Sequence, residues 1–353
     1  MNKIMTDIEL AIFIKRVEAI CNEMGLVLRK AAFSTNIKDR LDFSCALFDK
    51  QGALFAQAAH IPVHLGSMAF AMRDIVSTIS WREGDLLILN DPFLGGTHLP
   101  DITFISPFFS DHKILGFVVN RAHHANIGSR SPGSMPVSRT LEEEGEIIPP
   151  TFLVRAGKLS VDLLEKLIKA GGSSARGDIS AQRSANNIGL QRLSDIVSEM
   201  GSARFQIGIK RINTYGARIA LATLSDMPKG HFSFIDIMDD DGQGNIDLAI
   251  RCRIDVSSSC LYIDFEGTSP QVLGNVNCPL SVTAAAAFYV FRCMLPEYTP
   301  SCEGVFQHLR ITAPEESLVN AKRPAAVAAG NVETSMRIVD VILGALHQAL
   351  PGQ

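Results

Sequence analysis

Two apolar runs, Ile102 to Phe109 and Ile114 to Asn120, are separated only by the polar, turn-forming Ser110-Asp111-His112-Lys113. Strand-like runs joined by so short a turn fold back as an antiparallel hairpin. A hairpin alone is marginal in water, so the rest of the chain must supply elements to cover it. The register follows as well: a turn centred between Asp111 and His112 puts Asp101 opposite Ala122, within one residue of His123.

The covering elements are legible. Leu10, Phe13, Ile14, Val17, Ile20, Cys21, Met24 and Leu28 recur at three and four, the stripe of an amphipathic helix. Phe43 to Phe48 and Leu54 to Ala58 form a second hairpin around Asp49-Lys50-Gln51-Gly52. From Ser131 to Pro150, prolines and the acidic run Glu142-Glu143-Glu144 indicate a long surface loop. Helical periodicity resumes over Leu159 to Ala170 and Ile179 to Met200, with Asp178 placed to cap the second helix. Beyond Pro228 the texture changes to strands, Phe232 to Met238, Ile246 to Val256 and Leu261 to Glu266, and the chain closes on a helix, Ser335 to Leu350. The expected class is α+β, multi-domain, with mixed helices and mostly antiparallel sheets. The expected units are an α+β unit over 1–227 that carries the site and a strand-rich region followed by a helix over 228–353.

At 353 residues and 46% hydrophobic content the chain can bury a large core. Lys and Arg total 33 against 37 Asp and Glu, a net charge of -4 with no block of like charge, which argues against a nucleic-acid partner. Seven scattered cysteines with no Cys-x-x-Cys pair read as reduced thiols. Asp7, Glu9, Lys15 and Arg16 interrupt any signal-like stretch at the N-terminus. Val282 to Leu295 is broken by Arg292 and is shorter than the roughly 20 residues a bilayer requires. A cytoplasmic protein with no membrane span is expected.

The chemistry gathers at the open end of the first hairpin. Gly95-Gly96-Thr97-His98-Leu99-Pro100-Asp101 sets an imidazole and a carboxylate three residues apart on a loop, and Arg121-Ala122-His123-His124 lies past the other strand. Cross-strand neighbours stand about 5 Å apart at Cβ. That is close enough for two side chains to reach one ion at about 2.0–2.2 Å from each ligand atom. His98, His123 and Asp101 then make a 2-His-1-carboxylate set with open coordination positions, suited to zinc, manganese or iron. The spacing is equally compatible with ordinary hydrogen-bonded loop histidines. Asp42, in Asp39-Arg40-Leu41-Asp42, is either a further carboxylate or a helix-terminal cap. His60 and His64 are four apart, but Pro62 between them opposes a shared helix face, leaving them as candidates to line the pocket. Asp178, Gln182 and Asn186 recur at four and read as a solvent-facing stripe, with substrate binding as the alternative. Asp239 to Asn245 reads as a hairpin turn rather than a calcium loop. No Walker phosphate cradle, dinucleotide fingerprint or nucleophile elbow is present.

At these residues the sequence resembles the hydantoinase B/oxoprolinase family, which includes the B-type subunits of N-methylhydantoinases and oxoprolinases and the related large subunits of acetone and acetophenone carboxylases. The likeness is carried by Asn36 to Ser44, His60 to Met68, Asn90-Asp91-Pro92 through Asp101, His123 to Gly128, Gly177-Asp178 with Gln182 and Asn186, and Asn331 to Ser335. Asp39 stands where the family usually has glutamate. The resemblance implies that His98, Asp101 and His123 are catalytic metal ligands and that Asp42 is a fourth. It suggests Arg121, His124 and His64 as substrate contacts, with packing as the alternative for Arg121 and His124. It implies a hetero-oligomer in which a hydantoinase A-type partner binds ATP and phosphorylates a cyclic amide of the hydantoin, N-methylhydantoin or 5-oxoproline type, which is then hydrolysed at the divalent metal. Ketone carboxylation at the same metal is a second reading, and a non-catalytic scaffold a third. Family members run past the point where this chain ends, so a C-terminal part of the fold is expected to be missing.

Overall fold

The computed structural model describes residues 5–350 except 60, 132 and 134. Helix α1 (Asp7–Ala31) opens on a capping box, in which Thr6 and Glu9 satisfy each other's backbone N–H groups. A one-turn helix α2 (Thr35–Lys38) leads into the hairpin β1 (Phe43–Asp49) and β2 (Leu54–Ala59). Helix α3 (Pro62–Thr78) begins on Pro62, where the missing N–H is one that no helix would use. Strand β3 (Leu86–Leu89) precedes the central hairpin of β4 (Asp101–Ser110) and β5 (Lys113–His123). Then come β6 (Thr151–Arg155), β7 (Lys158–Leu159), and helices α4 (Val161–Gly171), α5 (Ala175–Met200) and α6 (Ser202–Asp226). The remainder is β8 (Gly230–Asp240), β9 (Ile246–Val256), β10 (Leu261–Asp264), α7 (Leu280–Cys293), β11 (Leu309–Thr312) and α8 (Ser335–Ala349).

The fold is α+β. A seven-stranded antiparallel sheet runs in the order β2-β1-β5-β4-β3-β6-β7, and a four-stranded sheet runs β11-β10-β9-β8 with one parallel pair, β10 and β11. The large sheet is covered on both faces, which is why its strands read as nearly unbroken apolar runs. Cys45, Leu47 and Val118 join the apolar cluster beneath α1 and α5, while the intervening Ala46, Phe48, Phe117 and Val119 join a cluster with Met68, Met72 and Ile75 of α3. The change of texture near Met227 marks the passage from α6 to β8, and the first of these clusters continues across it into β9, α7 and α8.

Helix α6 is an addition to the elements expected from periodicity. It is apolar on one stripe only, and Phe205, Ile209, Ile212 and Leu224 of that stripe are buried. Asp178 does not cap its own helix, which starts at Ala175; its Oδ1 accepts the backbone N–H groups of Phe33 (2.7 Å) and Ser34 (3.0 Å). The stripe it begins does not face solvent. Gln182 and Asn186 are fully buried and bond across to Ile102 O, Asn120 and Ser106 on the central hairpin. The polar side chains Asn120 and Ser106 on the covered face demand partners there, and this overrides the usual outward preference of a polar helix face.

The central hairpin turns through Asp111 and His112, both left-handed (φ 49° and 60°). Near the turn Phe109 pairs with Ile114, as expected. A β-bulge between Phe108 and Phe109 then shifts the ladder by one, so Asp101 lies directly opposite His123 rather than Ala122.

Candidate metal centre

Three adjacent strand ends deliver the polar cluster. Asp101 begins β4 and His123 ends β5, facing each other across the ladder. On the other side of β5, the His123 N–H donates to the backbone O of Asp42 (3.0 Å), which extends the β1–β5 pairing by one residue. Leu41, with φ 58°, supplies the left-handed kink just before Asp42. His98 comes from the loop before β4, and His64 from the first turn of α3.

The hydrogen bonds fix what each side chain offers. His98 Nδ1 lies 3.3 Å from Ala328 O and His123 Nδ1 lies 2.9 Å from His124 O. A carbonyl can only accept, so both rings carry hydrogen on Nδ1 and expose a bare Nε2 when neutral. The Asn36 carboxamide nitrogen lies 3.1 Å from the same His123 Nδ1. Asp101 Oδ2 is occupied, accepting from Thr97 Oγ1 (2.5 Å) and facing His64 Nε2 (3.3 Å). Its Oδ1 is buried, has no hydrogen-bond partner among the described residues, and lies 3.3 Å from His98 Nε2.

A neutral imidazole nitrogen and a carboxylate oxygen face each other stably only with a positive group between them, here either a proton on His98 Nε2 or a cation. The ligand atoms of His98, Asp101 and His123 all lie within 4.8 Å of one another, as do those of Asp42, His64 and Asp101. Atoms each about 2.1 Å from one ion are at most roughly 4.2 Å apart, so a shift of a few tenths of an ångström closes the first set on a divalent cation. The protonation balance agrees. Burial opposes a charge on Asp101, yet His98 and His64 outweigh it and hold its carboxyl well below the usual range. Burial works against a proton on His98 too, but Asp101 outweighs it and raises the imidazole. Burial first, then the charge of Asp101, pushes Asp42 up to about 6. His123 is pushed down to about 4, mainly by burial. Asp101 thus stays charged beside His98, His123 stays neutral, and two imidazoles with a carboxylate make a donor set that a divalent ion fits.

The cluster floors a cleft of about 940 Å³, with Asp42, His98 and His123 on its lining. Its walls are largely apolar, including Ile61 and Val63 from the start of α3, Ala285 and Tyr289 from α7, and Val332 and Met336 at the start of α8. A second cleft, about 790 Å³ between α6 and the β1–β2 turn, carries none of these ligand groups.

Residues 6–353 match hydantoinase B/oxoprolinase. The chain belongs to this family. It is 40% identical over 357 residues to the 5-oxoprolinase of Saccharomyces cerevisiae, covering 95% of this chain and 27% of that protein. It is 29% identical to a Pseudomonas protein assigned as the B-type component of a D-/L-hydantoinase, covering all of this chain and 64% of the other. The fold superposes on the ATP-dependent caprolactamase of Pseudomonas jessenii with a TM-score of 0.92 at 26% identity, covering 98% of this chain and 61% of that one. The chain therefore spans less than two thirds of each of these proteins.

Within this hydantoinase B fold, His98, Asp101 and His123 come together, Asp42 joins Asp101 and His64 in a second group that shares Asp101, and His64 stands behind Asp101 rather than on the pocket wall. His60 lies outside the described residues. The expectation of substrate contact for Arg121 and His124 is corrected by their packing. Arg121 is fully buried and spends its guanidinium on Thr103 Oγ1, Ser67 Oγ and Gly95 O, at 2.7–2.8 Å. His124 is buried against Gln182 Oε1 (2.8 Å), and burial lowers its basicity. Strand alternation accounts for His124, which turns to the α5 side; Arg121 shares the face of His123 but lies two residues deeper in the sheet, under α3. Thr97 and Asn331, whose Nδ2 lies 3.2 Å from His98 Nε2, join the site without any mark in the spacing, though both sit in the blocks that carry the family likeness.

Proposed function

We propose that this chain is the metal-bearing part of an ATP-dependent cyclic amidohydrolase, acting on a lactam or hydantoin whose carbonyl oxygen has been phosphorylated by a hydantoinase A-type partner. The observation that carries this reading is the juxtaposition of two imidazoles held in the Nδ1–H form with a carboxylate oxygen that has no hydrogen-bond partner among the described residues, at the floor of a largely apolar cleft. Support also comes from relatives named 5-oxoprolinase and caprolactamase, the latter described as ATP-dependent. The lack of a Walker cradle or dinucleotide fingerprint in the sequence fits ATP being bound by a partner.

An amide resists attack by water because resonance lowers its electrophilicity. A phosphate on its oxygen leaves an imidate-like carbon that one water can attack; the C–N bond then breaks with the ring nitrogen taking up a proton, and a second water releases phosphate from the acyl phosphate that remains. A divalent ion held by His98, Asp101, His123 and Asp42 would supply Lewis acidity and lower the pKa of water at neutral pH. Thr97 and His64 hold the far oxygen of Asp101 so that only Oδ1 faces the ion position. The apolar walls from α3, α7 and α8 give the ring of a cyclic amide a surface to pack on.

The test is reconstitution with the A-type partner, followed by metal analysis and product analysis across lactams, hydantoins and ketones. Stoichiometric metal together with ATP-dependent ring opening supports the reading. Incorporation of bicarbonate into a new carboxylate would replace it with ketone carboxylation. Protein without metal, active after His98→Ala, would leave only a scaffold role.

A further inference from the structure

Behind His98 lies an acid that the ligand set does not use. Glu144, at the end of a 3₁₀ turn spanning Leu141–Glu144, is fully buried. Its Oε1 accepts three hydrogen bonds, from Ser138 Oγ (2.8 Å), Val327 N (2.9 Å) and Ala328 N (2.9 Å). Its Oε2 is buried with no partner among the described residues. One oxygen thus takes all three donors, a load that a charged acceptor bears better than a neutral one. Burial of the second oxygen is costly, and it pushes the acid up to about 7.

The two donated peptides belong to the segment that holds His98. Ala328 is gripped at its N–H by Glu144 and offers its carbonyl to His98 Nδ1 (3.3 Å). The N–H on the same peptide plane as that carbonyl, from Ala329, donates to Asn275 O (3.0 Å). The 3₁₀ turn is sewn to the same segment, through Leu141 N to Pro324 O (3.0 Å) and a bridge between Thr140 and Ala325. The direction of the Ala328 carbonyl, and hence which nitrogen of His98 carries the hydrogen, follows from this clamp.

We infer that Glu144 is a positioning residue for the metal centre, its carboxylate fixing residues 327–328 so that the Ala328 carbonyl keeps His98 in the Nδ1–H form with Nε2 toward Asp101. The inference rests on the metal-site reading for its purpose, but the geometry it predicts is testable without metal. Glu144→Gln keeps size and one acceptor while removing the charge, and a neutral acceptor bonds backbone N–H groups roughly half as strongly. Glu144→Ala removes the clamp.

In the full natural chain, three quantities should be compared for wild type and both variants. They are the ¹⁵N imidazole signals of metal-free protein at alkaline pH, where His98 is neutral; the zinc affinity by chelator competition; and the metal-free melting temperature. The expected result for Glu144→Gln is a His98 signal shifted toward a mixture of tautomers, an unmoved His123 signal, and zinc affinity lower by about tenfold or more, the usual effect of losing a partner behind a metal ligand. A fall in melting temperature with His98 signals and zinc affinity unchanged would reduce Glu144 to a structural tie and overturn the inference. If Glu144→Ala does not fold, Glu144→Gln still decides. If wild type binds no zinc, the metal reading falls while the His98 signals still judge Glu144.

Discussion

Asp101 divides its labour between its two oxygens, and that division predicts what a near-isosteric change does. In Asp101→Asn, Thr97 Oγ1 still needs an acceptor at the Oδ2 position, 2.5 Å away, so the amide oxygen settles there and the NH₂ takes the place of Oδ1. A donor then faces the ion position. Metal affinity should fall by more than the roughly 10–100-fold that loss of an outer partner costs. The urea midpoint of the metal-free protein should fall as well, because His98 and His64 favour the charged carboxyl that the amide removes, and metal titration alongside denaturation checks both. His123 gives the pH prediction. The imidazole titrates near 6.5 in the unfolded chain and near 4 in the fold. Between those values the unfolded chain binds a proton that the native chain does not, so this residue's contribution to stability falls as pH drops through the window and levels off below it. Glu144 and Asp42 slope the other way. The difference between wild type and His123→Gln in metal-free denaturation curves from pH 7.5 to 4.5 isolates the term, and equal slopes would refute it. The juxtaposition of His98, Asp101 and His123 was readable because all three sit on or beside one short hairpin. Glu144 and Asn331 were not readable as site residues, because their contacts to Ala328 and His98 span more than 180 positions.

The elements were legible wherever periodicity or turn chemistry was strong: α1, the β1–β2 and β4–β5 hairpins, and α8 all fall where the pattern puts them. The exact opposition of Asp101 and His123 was not, because a bulge adds one residue to β5 without any turn signal of its own. The loop that carries His98 is also constrained in a way that spacing hides. A Cβ on Gly96 would stand 2.3 Å from Asn90 O and 2.8 Å from Asp91 O, both backbone atoms that cannot swing aside. Gly96→Ala should therefore displace Thr97 and His98 and weaken metal binding. Gly189 provides the contrast: its added Cβ would press on Val118 Cγ1 (2.6 Å) and Met24 Sδ (2.7 Å), between α5, the sheet and α1. Gly189→Ala should cost about 1–3 kcal/mol by overpacking yet leave metal affinity per folded molecule unchanged. Calorimetric titration of both variants separates a loop that positions ligands from a helix that merely packs.

For the whole molecule, all four proposed ligands precede residue 124, whereas α7 and α8, which wall the cleft, follow residue 279. The proposed ion site thus draws on the N-terminal stretch alone, the cleft wall on both that stretch and the later helices, and the proposed phosphorylation falls to a partner protein. This separation predicts an uncoupling. If the partner transfers phosphate before the substrate reaches the His98–Asp101–His123 cluster, a reconstituted complex carrying Asp101→Asn should still consume ATP in a first turnover, because nothing in that step touches Asp101. Ring-opened product should fall far below that of wild type, because the step that needs the ion is blocked. Quench-flow measurement of ADP and of ring-opened product from the same samples would show ADP formed ahead of product in the variant and together with it in wild type. If ADP and product fell in parallel, phosphorylation would itself depend on the metal cluster, and the two-site scheme would have to give way to one in which both steps occur at the end of the β4–β5 hairpin.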